Sequence, residues 1–278
     1  MSATPSDIVI LDGAVEPDRR TVSVGGGSLV AYTCRAPDKE TINEDTLAVI
    51  PWGPESAILV VADGAGGMPA GKKASETAIT ALAASLEVAL EKTMLLRTAV
   101  INGIEAANEA VRDMGIGCAT TLTIVTIEGR TARSYQIGDS EALVVGQRGL
   151  VRLQTTAHSP TGFAVEAGFL DQRDALHHED RHLVSNFIGN VDMRIDVGPA
   201  VELRDRDTVV LASDGLTDNV HLDEIVERVR KGPLDAAADA VIALAGERMS
   251  NDSDGEPSKP DDLSLIVFRK PVRRPPGS

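Results

Sequence analysis

Aromatic side chains make up only 3% of this chain: one Trp, two Tyr and four Phe in 278 residues. So few rings exclude an aromatic-rich core and leave the interior to Ala, Val, Ile and Leu. Cysteine is scarcer still, with Cys34 and Cys118 alone. Far apart and without a CxxC spacing, they exclude a disulfide framework and read as buried free thiols of a reducing compartment. Positive charge is in deficit, with 27 Lys and Arg against 42 Asp and Glu and a net charge of -15. That balance argues against a nucleic-acid surface or an anchor to anionic lipid. No apolar run is long enough to span a bilayer, and the N-terminus lacks the charged start and apolar core of a signal peptide. The expectation is a cytoplasmic protein.

What is present is a regular alternation of textures. Residues 1–20 are polar and contain proline, which predicts an irregular arm. Strand-like runs cover 28–34, 46–50 and 57–62. From Gly71 to about Asp113 the apolar spacing becomes helical, through Ala74, Ala78, Leu82 and Leu86 and then Leu96, Val100, Ile104 and Val111. Strands return at 118–127, 132–137, 142–145 and 150–153, punctuated by Glu128-Gly129, Gly138-Asp139 and Gly146–Gly149. Those signals predict an antiparallel meander. A polar, flap-like segment spans 155–190, followed by a strand at 208–212, helices near 221–231 and 233–249, a last strand at 263–268 and a frayed tail at 271–278. No repeat or linker divides 21–270, so one α+β domain is expected, with two packed antiparallel sheets flanked by helices. Consecutive strands without crossover helices disfavour a doubly wound parallel sheet.

The chemistry lies where the strands end. "AILVVADG" runs from a buried strand straight into Asp63-Gly64, and "VVLASDG" does the same at Asp214-Gly215. Asn43-Glu44-Asp45 precedes a strand, Gly138-Asp139-Ser140 occupies a turn, and Asp261-Asp262 opens the last strand. A single Asp-Gly is an ordinary turn signal. Several carboxylates delivered to buried sheet ends are costly unless something shares their charge, and oxygen-only ligand sets suit Mg²⁺ or Mn²⁺.

Six segments then resemble one family in its own order: "NEDTLAV" (43–49), "VVADGAGGMPAGKKAS" (60–75), "GCATTLTIV" (117–125), "QIGDSEALV" (136–144), "LASDGLTD" (211–218) and "DDLSLIVF" (261–268). The chain resembles the metal-dependent protein phosphatases of the PPM type, the protein phosphatase 2C family, in their bacterial single-domain form. The resemblance implies a protein serine/threonine phosphatase with two core ions, Mn²⁺ or Mg²⁺, and a third, weaker site. By residue it implies that Asp63 bridges the two ions beside the Gly64 carbonyl. Asp214 and Asp261 would hold the first ion, Glu44 and Asp45 the second, and Asp139 would join Asp214 at the third. Asp262 stands where the family often has Asn, at one remove from the ions. The implied reaction is attack of a metal-bridging hydroxide on phosphorus, with Asp63 and Asp214 central and no covalent enzyme intermediate. The implied partner is a phosphoprotein made by a Ser/Thr kinase.

The chain departs from the family at two places. Glu40 stands where the family commonly has a phosphate-binding Arg, which turns attention to Arg35 and Lys39. Ala65 stands where eukaryotic members carry a His. A phosphoprotein-binding module with little turnover is the alternative that Glu40 raises. Other motifs exclude themselves: no Cys-x5-Arg loop or GxSxG elbow is present, and "GAGGMPAG" lacks the Gly-Lys-Ser/Thr ending of a P-loop. His177, His178 and His182 in "HHEDRH" lack a third ligand at zinc-binding spacing and read as a polar helix. Thr120 and Thr121 read as strand packing.

Overall fold

Uninterrupted apolar strands need cover on both faces, and alternation along each strand shows what supplies it. The computed structural model describes residues 8–65, 70–115, 117–251 and 255–273. Its first half comprises β1 (Val9–Leu11), β2 (Asp18–Val24), β3 (Gly27–Cys34), β4 (Thr46–Gly53), β5 (Ser56–Ala62), α1 (Gly71–Glu91), α2 (Leu96–Asp113), β6 (Leu122–Glu128) and β7 (Thr131–Ile137). The second half comprises β8 (Glu141–Val145), β9 (Val151–Gln154), α3 (Pro160–Glu166), α4 (Gln172–Ala175), β10 (Asp196–Val197), β11 (Val201–Glu202), β12 (Thr208–Ala212), α5 (Asp214–Thr217), α6 (Leu222–Val229), α7 (Leu234–Ser250) and β13 (Leu263–Arg269).

Two antiparallel sheets result. One has the order β1-β4-β5-β6-β7-β10, with β11 also on β7; the other runs β2-β3-β13-β12-β8-β9. On β5, Ala57, Leu59 and Val61 pack between the sheets, while Ile58, Val60 and Ala62 pack under α1 and α2. On β12, Val209 and Leu211 face inward, while Val210 and Ala212 meet the layer of α5, α6 and α7. The strand period of two therefore divides one apolar run between two cores, giving an α-β-β-α sandwich. Phe268 and Tyr135 are among the largest fully buried side chains, and aliphatic residues supply most of the rest. No helix among the described residues is long and apolar enough to cross a membrane.

Three expectations need correction. Residues 1–20 are not an irregular arm where described: β1 pairs with β4, and β2 pairs with β3 from Asp18 onward. The stretch from 118 to 153 is not a meander. β6 and β7 pair in one sheet, whereas β8 and β9 belong to the other. Gly138-Asp139-Ser140 thus carries the chain across the sandwich instead of closing a hairpin, because β8 finds β12 as its partner and not β7. Within the flap, Ser159 caps α3 by accepting the Gly162 N–H. The "HHEDRH" residues follow α4 in turns, not in a helix, and His177, His178 and His182 are exposed.

Candidate metal centre

Register brings the strand-end aspartates to one rim. Thr46 pairs with Ala62, so Asp45 and Asp63 flank the same end of the β4–β5 pair. Ala212 pairs with both Leu265 and Glu141, which sets Asp214, Asp261 and Asp139 at the matching end of the other sheet. Thr121 Oγ1 and Ser140 Oγ, 2.8 Å apart, join the two groups.

Asp63 is held through its backbone. Its N–H donates to Thr121 Oγ1 at 3.0 Å, and its carbonyl accepts from the Thr121 N–H and the Thr120 hydroxyl, each at 2.8 Å. The backbone is thereby fixed, with the carboxyl under the influence of Asp45, Asp214 and Asp139. Gly64 is obligatory for a packing reason: a Cβ there would lie 2.4 Å from the Gly71 carbonyl and 2.8 Å from the Glu44 carbonyl oxygen. The close approach is of backbone to backbone, which supplies the physical basis for the glycine that the motif alone could not. Residues 66–69, including the remaining glycines of this motif and Met68-Pro69, lie outside the described residues.

Asp45 is 1% exposed, and neither of its carboxylate oxygens meets a partner in hydrogen-bond geometry, although the Ser213 and Ser264 hydroxyls are close enough to favour its charge. Its N–H donates to Asn43 Oδ1 at 2.9 Å, and Asn43 is itself anchored by donating to Thr33 Oγ1 at 2.7 Å. The buried Lys72 ammonium donates to the Asp45 carbonyl at 2.8 Å, so the backbone is pinned while the carboxylate is left bare. Beside it, Asp262 accepts the N–H groups of Ala36 and Glu44 and the Lys39 ammonium, tying the 36–44 loop to the start of β13. Lys39 also donates to Glu44 Oε2 at 3.0 Å.

Across the rim, Asp214 opens α5 and Asp218 follows four residues later on the same helical face. Lys259 places its ammonium 2.5 Å from Asp214, 2.8 Å from Asp218 and 3.3 Å from Asp261. Gly215 permits this arrangement, since a Cβ on it would come within 2.0 Å of the Asp262 carbonyl oxygen.

The charges strain against one another. Burial, reinforced by Asp262 and Asp261 and only partly offset by the Ser264 and Ser213 hydroxyls, pushes the Asp45 carboxyl up to about 7. Burial together with Asp45, Asp214 and Asp139 holds Asp63 well above the usual carboxylate range, and burial with Asp214 and Asp218 does the same to Asp139. Asp261 and Asp218 are each raised to about 6, by burial first and Asp214 second. Burial opposes the charge of Lys259, but Asp214, Asp218 and Asp261 outweigh it and hold the ammonium firmly protonated. A divalent cation fits such a rim: it would give the orphaned Asp45 oxygens a partner and offset the mutual repulsion. No three of these aspartates bring oxygens within 4.8 Å of one another.

One tighter trio exists among the described residues, His221, Glu224 and Glu256. Arg248 already reaches both oxygens of Glu224 and contacts Glu256, so that trio is a neutralised cluster. His158 is structural. Its Nδ1 accepts from the Gly138 N–H and from Asn186 Nδ2, while Nε2 faces Asp196 at 3.0 Å, latching the flap to the turn that carries Asp139. A cavity of about 910 Å³ opens from Asp139, Asp214 and Asp218 and runs between the flap and α6 past Glu141, Thr161 and Leu222. Sequence reasoning gave no role to Asn43, Thr120, Thr121 or Lys259; Asn43 entered only as the lead-in to Glu44-Asp45, and strand propensity accounted for the two threonines.

Residues 36–245 match the family model described as protein phosphatase 2C. The chain is 30% identical over 225 residues to the serine/threonine phosphatase stp of Listeria monocytogenes serotype 4b, covering 76% of this chain and 87% of that one. Its fold superposes on the Mycobacterium tuberculosis serine/threonine phosphatase PstP/Ppp with a TM-score of 0.70 and 26% identity, over 87% of this chain and 98% of that one. A PstP catalytic domain crystallised with two manganese ions shares the fold with a TM-score of 0.66 and 23% identity, over 94% of this chain and 98% of that one.

Proposed function

The chain belongs to the protein phosphatase 2C family and is a protein serine/threonine phosphatase, and from that premise we propose that it works with divalent cations held by the rim of aspartates. Asp63 and the Gly64 carbonyl would hold ions together with Asp214 and Asp261 on one side and Glu44 and Asp45 on the other, with Asp139 beside Asp214. The observation that carries this reading is the buried Asp45 carboxylate, whose oxygens meet no partner in hydrogen-bond geometry while three other acidic groups crowd round it. When bound, the ions supply a water acidified for attack and neutralise charge gathering on the phosphoryl oxygens. An all-oxygen ligand set favours Mn²⁺ or Mg²⁺, and the two manganese ions of the PstP neighbour favour Mn²⁺.

The chain's own residues orient the rest. Thr120 and Thr121 hold Asp63 at the sheet end, and His158 keeps the Asp139 turn against the flap. Lys39 is engaged by Glu44 and Asp262, which leaves Arg35, half-buried one residue beyond β3, as the favoured ligand for the substrate phosphate. The cavity beside Asp139 and Asp214 has the size of a binding cleft and suits the residues flanking a phosphorylated Ser or Thr. The substrate in this reading is a cytoplasmic phosphoprotein, the product of a Ser/Thr kinase, with no nucleic acid or membrane involved. Its support is the strongly negative charge and the names of the relatives. Hydrolysis of p-nitrophenyl phosphate and a phosphothreonine peptide should require added Mn²⁺ and vanish in Asp63→Ala. Folded wild-type protein that neither binds Mn²⁺ nor turns over either substrate would sink the proposal.

A further inference from the structure

Lys259 has no part in the metal assignment above, yet it sits inside the acidic rim. Its ammonium touches three carboxylates, Asp214, Asp218 and Asp261, with its side chain 21% exposed. Its placement is built, not incidental. The fully buried Asn219 donates from Nδ2 to the Lys259 carbonyl at 2.8 Å and accepts the Lys259 N–H on Oδ1 at 2.6 Å, clamping the residue from both sides of its backbone. The same Nδ2 donates to the Gly215 carbonyl at 2.9 Å, which couples the clamp to the residue next to Asp214. Arg248 in turn donates to the Asn219 carbonyl at 2.9 Å, and Ser258 Oγ donates to the Arg248 carbonyl at 2.9 Å. A lysine left to solvent would need none of this.

We propose that Lys259 is the resident cation of the Asp214–Asp218 end of the rim, filling with an ammonium the place where Asp139, Asp214 and Asp218 would otherwise admit a further divalent ion. The inference rests on the two-ion reading and limits it: the centre takes two ions and excludes a third. A single positive charge suits this end of the rim, because Asp214 must share its charge with the first ion and Asp218 has no other cation within ion-pair distance among the described residues. An ammonium offers three donors, enough for one bond to each carboxylate. It also cannot polarise a water or a phosphoryl oxygen as a divalent ion does. Lys259 is therefore a positioning residue that sets the ion count.

The test is the number of Mn²⁺ ions bound per chain, measured by equilibrium dialysis with elemental analysis and by isothermal titration calorimetry at millimolar Mn²⁺. Wild-type protein should bind two. Lys259→Gln should bind three, and Lys259→Arg, which keeps the charge, should return to two. Lys259→Ala, with far-UV circular dichroism on each variant, covers the case in which the glutamine variant does not fold. Three ions in the wild-type protein overturn the proposal without any variant. So does an unchanged count in the folded glutamine or alanine variant, whatever its affinity. A wild-type count of zero removes the two-ion reading itself, an outcome separate from two ions in wild type and variant alike.

Discussion

Thr121 grips both sides of Asp63: its Oγ1 accepts the Asp63 N–H at 3.0 Å, and its own N–H donates to the Asp63 carbonyl at 2.8 Å. The hydroxyl also meets Ser140 Oγ at 2.8 Å, so one side chain links the β5 end to the turn that carries Asp139. Thr121→Val keeps the volume and removes both hydroxyl contacts, leaving a buried N–H unpartnered. The expected cost is about 1–3 kcal/mol of stability and a fall of roughly 10–100-fold in kcat/KM or Mn²⁺ affinity. Thr121→Ser should restore most of both. Thermal melts and phosphopeptide kinetics on the three proteins check this; a valine variant with wild-type kinetics would show that the grip on Asp63 is dispensable.

Asp45 offers a test in which stability and metal binding move in opposite directions. Its carboxylate is buried with no partner in hydrogen-bond geometry, so in the absence of metal Asp45→Asn removes a charge that the fold only tolerates. In EDTA the variant should melt higher than wild type; a relief of about 1 kcal/mol corresponds to roughly 2–4 °C in a domain of this size. On adding Mn²⁺ the order should reverse, because wild type gains the binding energy of its ion and the variant loses most of it. A variant that melts lower than wild type in EDTA would mean that the carboxylate is satisfied without metal.

The pH dependence of the metal-free protein follows from the same crowding. Asp45 is raised to about 7, and Asp218 and Asp261 to about 6, all by burial first and neighbouring carboxylates second; burial raises Glu141 to about 7. Each binds its proton more tightly in the folded chain than in the unfolded one. Their stabilising effect is therefore fully present below the ordinary carboxyl range near 4 and is lost as pH rises through about 6 to 7. Melting temperatures in EDTA should fall between pH 5 and 8. With saturating Mn²⁺ the slope should flatten or reverse, since the ion competes with protons for the same oxygens. A melting temperature that climbs with pH in EDTA would contradict the assigned strain.

The parts of this centre that could be read from the chain are those where a local pattern and a chemical need coincide. Asp63 and Asp214 each end a run of buried β-formers, so their positions at sheet ends were legible. The helical spacing of α1, α2 and α7 was legible for the same reason. Gly138-Asp139-Ser140 was misread because a chain crossing between sheets uses the same turn residues as a hairpin; only the choice of β12 as partner for β8 distinguishes them. Thr121 was hidden because a strand threonine looks alike whether it packs or binds an opposing backbone. Lys259 was hidden by distance: it lies in a loop without periodicity, and its partner Asp214 is 45 residues away in sequence.

A pair of glycines separates the packing of the centre from general helix propensity. Gly215 follows Asp214, and a Cβ there would sit 2.0 Å from the Asp262 carbonyl oxygen and 3.2 Å from the Leu263 Cα. Both obstacles are backbone, so neither can swing aside as a flexible side chain would. Gly215→Ala should therefore force the start of α5 away from the start of β13, separating Asp214 from Asp261 and loosening the Lys259 clamp that Gly215 shares through Asn219. The expected loss is about 1–3 kcal/mol in stability, together with a weakened first ion. Gly246 lies within α7, where an added Cβ meets nothing within 4 Å. Gly246→Ala should instead stabilise the protein by roughly 0.5–1 kcal/mol, because alanine loses less conformational freedom in a helix. Denaturant melts and Mn²⁺ titrations on both variants check the contrast. Equal stability for the two variants, or wild-type Mn²⁺ affinity in Gly215→Ala, would show that the close approach of α5 to β13 does not shape the centre.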